Sequence, residues 1–350
     1  MKYFSTVFIL LYSIHGFAQI PQKTLQDFDL KGPVSRLTYQ EYYARDSSNT
    51  TVKGKLIPNS DNYLLCFNER GYNTENRKFT DDGKMLKLFL YNDLGLEKRT
   101  CSYNDNSFIC SDYVLNENGQ RLITKRYSEI GDTLHAYYIY NENGQIKEHK
   151  QIDHFGTTVF QYFNSYNEQD EISRSEWFKN GEFDHAENYE YDSTGQVVNL
   201  CVVDWLGNYG SCNESKYDLQ GRLIEQSTIE NGELQRMMQF EYDSLGHRTR
   251  EVFFDVFMQI SSSHQYFYRG DKLIKLVELD RNGKPTRIEK HSYNEQGDLI
   301  RLDYVSTQDG TSLFFHQWEY IYDNYGNWIQ KIMIQGTKAH YLIERSIVYY

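Results

Sequence analysis

Short strand-like runs of mixed apolar and polar residues recur along this chain, broken by turn signals roughly every 12 residues. Ile146 to Ile152 and Leu122 to Tyr127 are examples of such runs. The turn spacing leaves no room for the helix of a βαβ unit and predicts an antiparallel meander. The turns fall into two sets. The first is one repeated phrase: an aromatic, then Asn or Asp, two free positions, and Gly. Its copies include Tyr91-Asn92-Asp93-Leu94-Gly95 and Tyr322-Asp323-Asn324-Tyr325-Gly326. Eleven copies fit, with the glycine place at 71, 95, 119, 144, 170, 195, 221, 246, 270, 297 and 326. Asn or Asp opens a turn by bonding its own backbone, and Gly accepts positive φ at the fourth place. Tyr, just outside, suits a half-buried pleated surface.

The second set lies about halfway between the first. It contains Asn180-Gly181, Asn231-Gly232 and Asn282-Gly283, pairs suited to tight type I′ hairpins, beside looser turns at Phe155-Gly156, Leu206-Gly207 and Asp309-Gly310. A period of this kind declares a repeat architecture. The expected fold is all-β: about eleven repeated β-hairpins in an antiparallel meander, forming one long, twisted, coiled sheet. Cross-strand stacking of the recurrent tyrosines is the expected source of stability.

Residues 1–18 are read as a signal peptide, with basic Lys2, an apolar Phe4–Ile14 and small residues at Gly16 and Ala18. Residues 19–63 are an irregular N-terminal capping segment, and 64–350 the repeat domain. The protein is therefore expected to be exported: periplasmic, on the cell surface or secreted. A net charge of −12 argues against nucleic acid, whose phosphates need a basic patch. A transmembrane barrel is not expected, because the runs at 122–127 and 146–152 place charged or polar groups on both faces, so no membrane insertion is anticipated.

Cys101 and Cys110 flank one predicted turn, and Cys201 and Cys212 another. In an exported chain, cysteines mirrored across a hairpin suggest cross-strand disulfides. The two pairs sit differently relative to their turns, and a bulged loop would put partners on opposite faces. Cys66 is left over.

Tyr217-Asp218-Leu219-Gln220-Gly221-Arg222-Leu223 resembles the signature of Rhs/YD repeats, and the other copies are looser versions of it. That resemblance covers roughly 64–350 and implies a long sheet of hairpins coiled into a spiral shell. Large members of the family wrap a toxic C-terminal domain, and animal relatives are cell-surface adhesion proteins. This chain is far shorter and ends inside a repeat, so the toxin activity is not expected here. The closer likeness is to small exported YD-repeat proteins of bacterial envelopes.

No His-Glu-x-x-His, Cys-x-x-Cys, nucleophile elbow or phosphate loop occurs, so no enzyme activity, metal or cofactor is expected. The expected function is non-enzymatic: a binding or scaffold protein of the bacterial cell envelope. It would engage a protein partner through its sheet surface or open edge. The alternative is a carbohydrate-binding module, with Trp205, Tyr209 and Trp328 as aromatic contacts for a polysaccharide.

Overall fold

The structure, a computed structural model, describes residues 22–47, 50–58, 60–336 and 338–350. The signal segment expected at 1–18 lies outside the described residues. Strands and tight turns account for nearly all of the rest, and a single 3-10 turn spans Leu25–Phe28. From Asn62–Phe67 onward each strand pairs antiparallel with the next, and the turns alternate between two ends of the sheet. The repeated phrase supplies one end, called here the motif end. At ten of its eleven turns Gly takes φ between 54° and 90°, and at the eleventh Asp170 takes φ 61°.

The sheet is not an open coil, which corrects the expected architecture. The first strand, Val34–Ser47, pairs along Val34–Tyr43 with the last strand, Lys338–Tyr349. Its other edge pairs with Asn62–Phe67 through residues 36–39, and with Thr50–Leu56 through residues 42–47. Those two short strands thus share one place in the ring, and 25 strands close a 24-strand antiparallel barrel. The closing strand carries no copy of the motif, and its partner comes from the opposite end of the chain. Repeat periodicity describes neighbours, so it carries no signal for this contact.

Closure also overturns the exclusion of membrane insertion. In hydrocarbon every backbone N–H and C=O must be paired, and a closed barrel is the one sheet form that achieves this. The two open sheet ends expected from the sequence are paired through the first strand, and among the described residues the short strand Thr50–Leu56 bonds on one side alone. Register leaves charge on both faces. The ion pairs Arg99–Asp112, Lys216–Glu225 and Arg301–Asp303 share one face. Tyr39, Tyr63, His149, Tyr162, Trp177 and Tyr189 share the other. The ion pairs Arg287–Glu278 and Arg287–Glu289 lie on that aromatic face too.

The seam has the main apolar cluster. Leu30, Val34, Leu37, Leu65 and Phe67 are buried together, with Leu25 and Phe28 of the 3-10 turn packed against them. The N-terminal segment also ties the motif end across the seam. Leu25 N–H donates to the Gly71 carbonyl, Lys23 N–H to Gly95, and Lys31 N–H to Asn327 Oδ1 at 2.7 Å.

The tyrosines act differently from the stacking expected of them. Tyr140, Tyr166, Tyr191, Tyr217 and Tyr242 each donate O–H to a backbone carbonyl of the preceding repeat, at Arg121, Ile146, Ile172, Val197 and Leu223. The distances run from 2.6 to 3.1 Å. A second set of links joins successive motif turns. Gln120 donates to the Gly144 carbonyl at 2.6 Å, Gln145 to Asp170 at 2.5 Å, Gln196 to Gly221 at 2.7 Å and Lys272 to Gly297 at 2.9 Å. These satisfy turn carbonyls that the strand ladder leaves unpaired. They make stability a property of neighbouring repeats.

Candidate functional site: the end of the barrel opposite the motif

Four turns at the second end begin at equal intervals along the chain. Asp153, Asp204 and Asp255 each accept the backbone N–H groups of the residues two and four places on, at 2.8–3.0 Å, and Ser306 begins the fourth. In the first three, that capture holds the two intervening residues at the tip. The tips are His154-Phe155, Trp205-Leu206 and Val256-Phe257, followed in the last by exposed Met258. Phe155, Trp205, Leu206 and Phe257 are all exposed, Trp205 at 75%. Between them lie tight turns at Asn180-Gly181 and Asn231-Gly232, where Asn adopts φ 51° as a type I′ turn demands. Asn282 does not take this geometry, because Asp280 captures the amides of Asn282 and Lys284 and builds the wider turn. Strands about 4.8 Å apart put alternate hairpins roughly 19 Å from one another around the rim. The Asp residues at 153, 204 and 255 carried this signal in the sequence, masked by the shorter repeat.

Trp205 and Tyr209 belong to this end. Tyr209, 60% exposed, opens the strand after the Trp205 turn and lies opposite Val203. Trp328 does not join them. It follows the motif turn at Gly326, is half-buried, and is covered by the Arg345 guanidinium 3.6 Å from its ring, with Tyr39 and Tyr320 edge-on beside it. Its face is occupied by the chain's own cation.

Both cysteine pairs are disulfides: Cys101–Cys110 with S–S 2.04 Å and Cys201–Cys212 with 2.11 Å. Each pair lies directly opposite in its ladder. The different offsets have a simple cause. The first hairpin turns through Asp105 and Asn106 without a bulge. In the second, Gly210 is an extra residue that restores register before the cysteines meet. Cys66 is a free, half-buried thiol, and burial pushes its pKa up.

Five rings stand side by side across successive strands: Tyr138, His149, Tyr162, Trp177 and His185. Their centroids are 4.6, 5.0, 4.8 and 5.5 Å apart. Several of these rings turn their faces toward one another, so the row is a cross-strand packing device rather than a set of free platforms. Burial pushes the His149 imidazole down to about 4 from 6.5. The folded chain therefore binds that proton less readily than the unfolded one. The His149 contribution is fully present above pH 6.5 and is lost as pH falls toward 4. Denaturant titrations across that window are expected to show a falling midpoint, and His149→Phe, which keeps the ring, to flatten part of the slope. Parallel pH profiles for the two proteins would refute this assignment.

No family model matches the chain, and no curated protein matches it. Solved structures with related strand arrangements include a TcdB2–TccC3–Cdc42 complex, at 12% identity over 85% of this chain and 18% of that chain, with TM-score 0.37. A Photorhabdus luminescens Tc holotoxin pore gives 11% identity over 80% and 19%, with TM-score 0.38. A porin-like protein from Bacteroides uniformis gives 12% over 91% and 99%, with TM-score 0.22. This chain spans under a fifth of the two toxin chains. At these scores and identities the likenesses decide neither fold nor function. The class defined by the chain's own ladder is a closed, all-β repeat barrel with two disulfide-bridged hairpins.

Proposed function

We propose that this is an exported, non-enzymatic binding protein of the bacterial cell envelope, holding a protein partner at the end of the barrel opposite the motif. The carrying observation is the set of solvent-exposed apolar tips, Phe155, Trp205-Leu206 and Phe257-Met258, each held out by the same Asp-anchored turn. The tips stand about 19 Å apart around the rim, a spacing that one extended partner would contact together. Burying one such side chain contributes about 1.5–3 kcal/mol, so several tips engaged together hold a partner that one alone would not. The Rhs/YD-like motif and the leader read at 1–18 support export and a family of envelope and surface proteins.

The test compares cross-linked partners of the wild-type chain in its native envelope with those of a Phe155→Ser/Trp205→Ser/Phe257→Ser variant. Surface substitutions of this kind change stability by about 0.5 kcal/mol or less each. A partner retained by the wild type and lost by the folded variant is expected. The same partners on both proteins would reject the surface. Trp205 and Tyr209, exposed on one hairpin, favour a second reading as a glycan platform. Saturable binding on a polysaccharide panel that Trp205→Ala weakens would put that reading first.

A further inference from the structure

One link between motif turns is made by a group that titrates near neutrality. Gln120, Gln145 and Gln196 join successive turns through an amide, and Arg222 does so by donating Nη1–H to the Asp243 carbonyl at 3.0 Å. Those groups keep one charge state near neutral pH. Of the eleven residues that follow the glycine places, His247 alone belongs to a type that ordinarily titrates between about pH 5 and 8.

Its ring lies between two carboxylates. Nδ1 is 3.0 Å from Asp243 Oδ2 in its own turn, and Nε2 is 3.1 Å from Asp271 Oδ1 in the next. That next turn is a two-residue hairpin, in which Arg269 pairs with Lys272 and leaves Gly270 and Asp271 at the tip. Asp243 is fixed, because its other oxygen accepts the backbone N–H groups of Leu245 and His247, each at 2.9 Å. The imidazole stacks on Tyr268, with centroids 4.7 Å apart and planes at 18°. The neighbouring cations are engaged elsewhere: Arg248 pairs with Glu251, and Lys272 Nζ donates to the Gly297 carbonyl.

An imidazolium donates from both nitrogens and satisfies both carboxylates. A neutral ring has one N–H, so either tautomer turns a lone pair toward one of them. The cradle therefore fits the protonated ring, whereas a glutamine link is indifferent to pH. The hydrogen bond to Asp243, with Asp271 on the other side, raises the His247 pKa above its ordinary 6.5. The folded chain thus holds this proton more tightly than the unfolded one. The contribution of the link is fully present below pH 6.5 and is lost as pH rises through the raised value, opposite in sign to that of His149.

We propose that His247 is a pH-operated latch at the motif end, closed onto Asp271 when the ring is protonated and released when it is neutral. Release uncouples the turn at 246 from the turn at 270 and leaves the strand ladder between them paired. The latch lies apart from the apolar tips, which stand at the opposite end of the barrel.

Nuclear magnetic resonance of the full chain tests it, with the His247 ring signal assigned by its loss in His247→Gln. The ring is expected to titrate above 6.5 in the wild type and lower in Asp271→Asn, a substitution at an exposed tip. Exchange protection of the amides at 270–272, corrected for intrinsic rate, is expected to fall about threefold between about pH 5 and 8, the modest effect of a surface ion pair. His247→Gln puts the pH-indifferent link in the same place and is expected to hold that protection constant. A wild-type ring that titrates at or below 6.5, an unchanged titration in Asp271→Asn, or an equal fall of protection in His247→Gln would overturn the latch.

Discussion

Leu37→Ala is expected to lower the stability of the barrel by about 2–5 kcal/mol, the range for emptying a fully buried leucine site. Leu37 is 0% exposed and lies in register between Leu65, also 0% exposed, and Ile347. It therefore touches both strands that the closing strand joins. The cavity would open at the seam, where Leu30, Val34 and Phe67 complete the cluster. Because the closing strand is the one element linking the start of the meander to its end, weakening it costs more than local packing. Opening it frees two strand edges, which are templates for self-association. Hydrogen exchange should accelerate first along Val34–Tyr43 and Tyr341–Tyr349, ahead of the mid-barrel strands. Leu219→Ala, at a fully exposed turn tip, is the control and should change stability by about 0.5 kcal/mol or less. Equal losses from the two variants, or exchange that rises uniformly, would contradict a barrel held shut at this seam.

Reducing both disulfides is expected to cost about 4–6 kcal/mol in total, since loop closure in the unfolded chain gives about 2–3 kcal/mol for each short bridge. The bridged cysteines are separated by 9 and 11 positions in sequence. Both lie within single hairpins, so their removal leaves the ring topology intact while lowering the denaturation midpoint. Cys101→Ser/Cys110→Ser and Cys201→Ser/Cys212→Ser should each show about half of the loss. Thiol titration of the denatured, unreduced chain should find one reactive group, Cys66, of the five cysteines. Three or five reactive thiols would mean that one or both bridges do not form.

Whatever rests on residues close in sequence was legible before the structure. The motif turns lie at the predicted glycine places, and Asn180 and Asn231 hold the predicted left-handed conformation. The cysteine pairs were legible as candidates because a hairpin brings its own flanks together. Gly210, the bulged residue that decides the second register, has no local signature that sets it apart from other strand glycines. The tyrosine pattern was visible but its action was not. Regular recurrence marks each Tyr as equivalent, and only the backbone of the preceding repeat shows that its hydroxyl has a carbonyl to reach.

The candidate site divides in the same way. Trp205 and Tyr209 were named from their place beside a turn, and the turn does present them to solvent. Trp328 had the same credentials and is covered by Arg345 from the neighbouring last strand, a contact set by tertiary packing. The sequence by itself determined an all-β meander, the positions of its turns and the pairs of cysteines within reach, because each depends on φ preferences and contacts inside one hairpin. The tertiary structure alone decided that the meander closes and which aromatics stay free. Those outcomes depend on strands from opposite ends of the chain meeting edge to edge, as Val34 meets Tyr349, and no local pattern encodes that meeting.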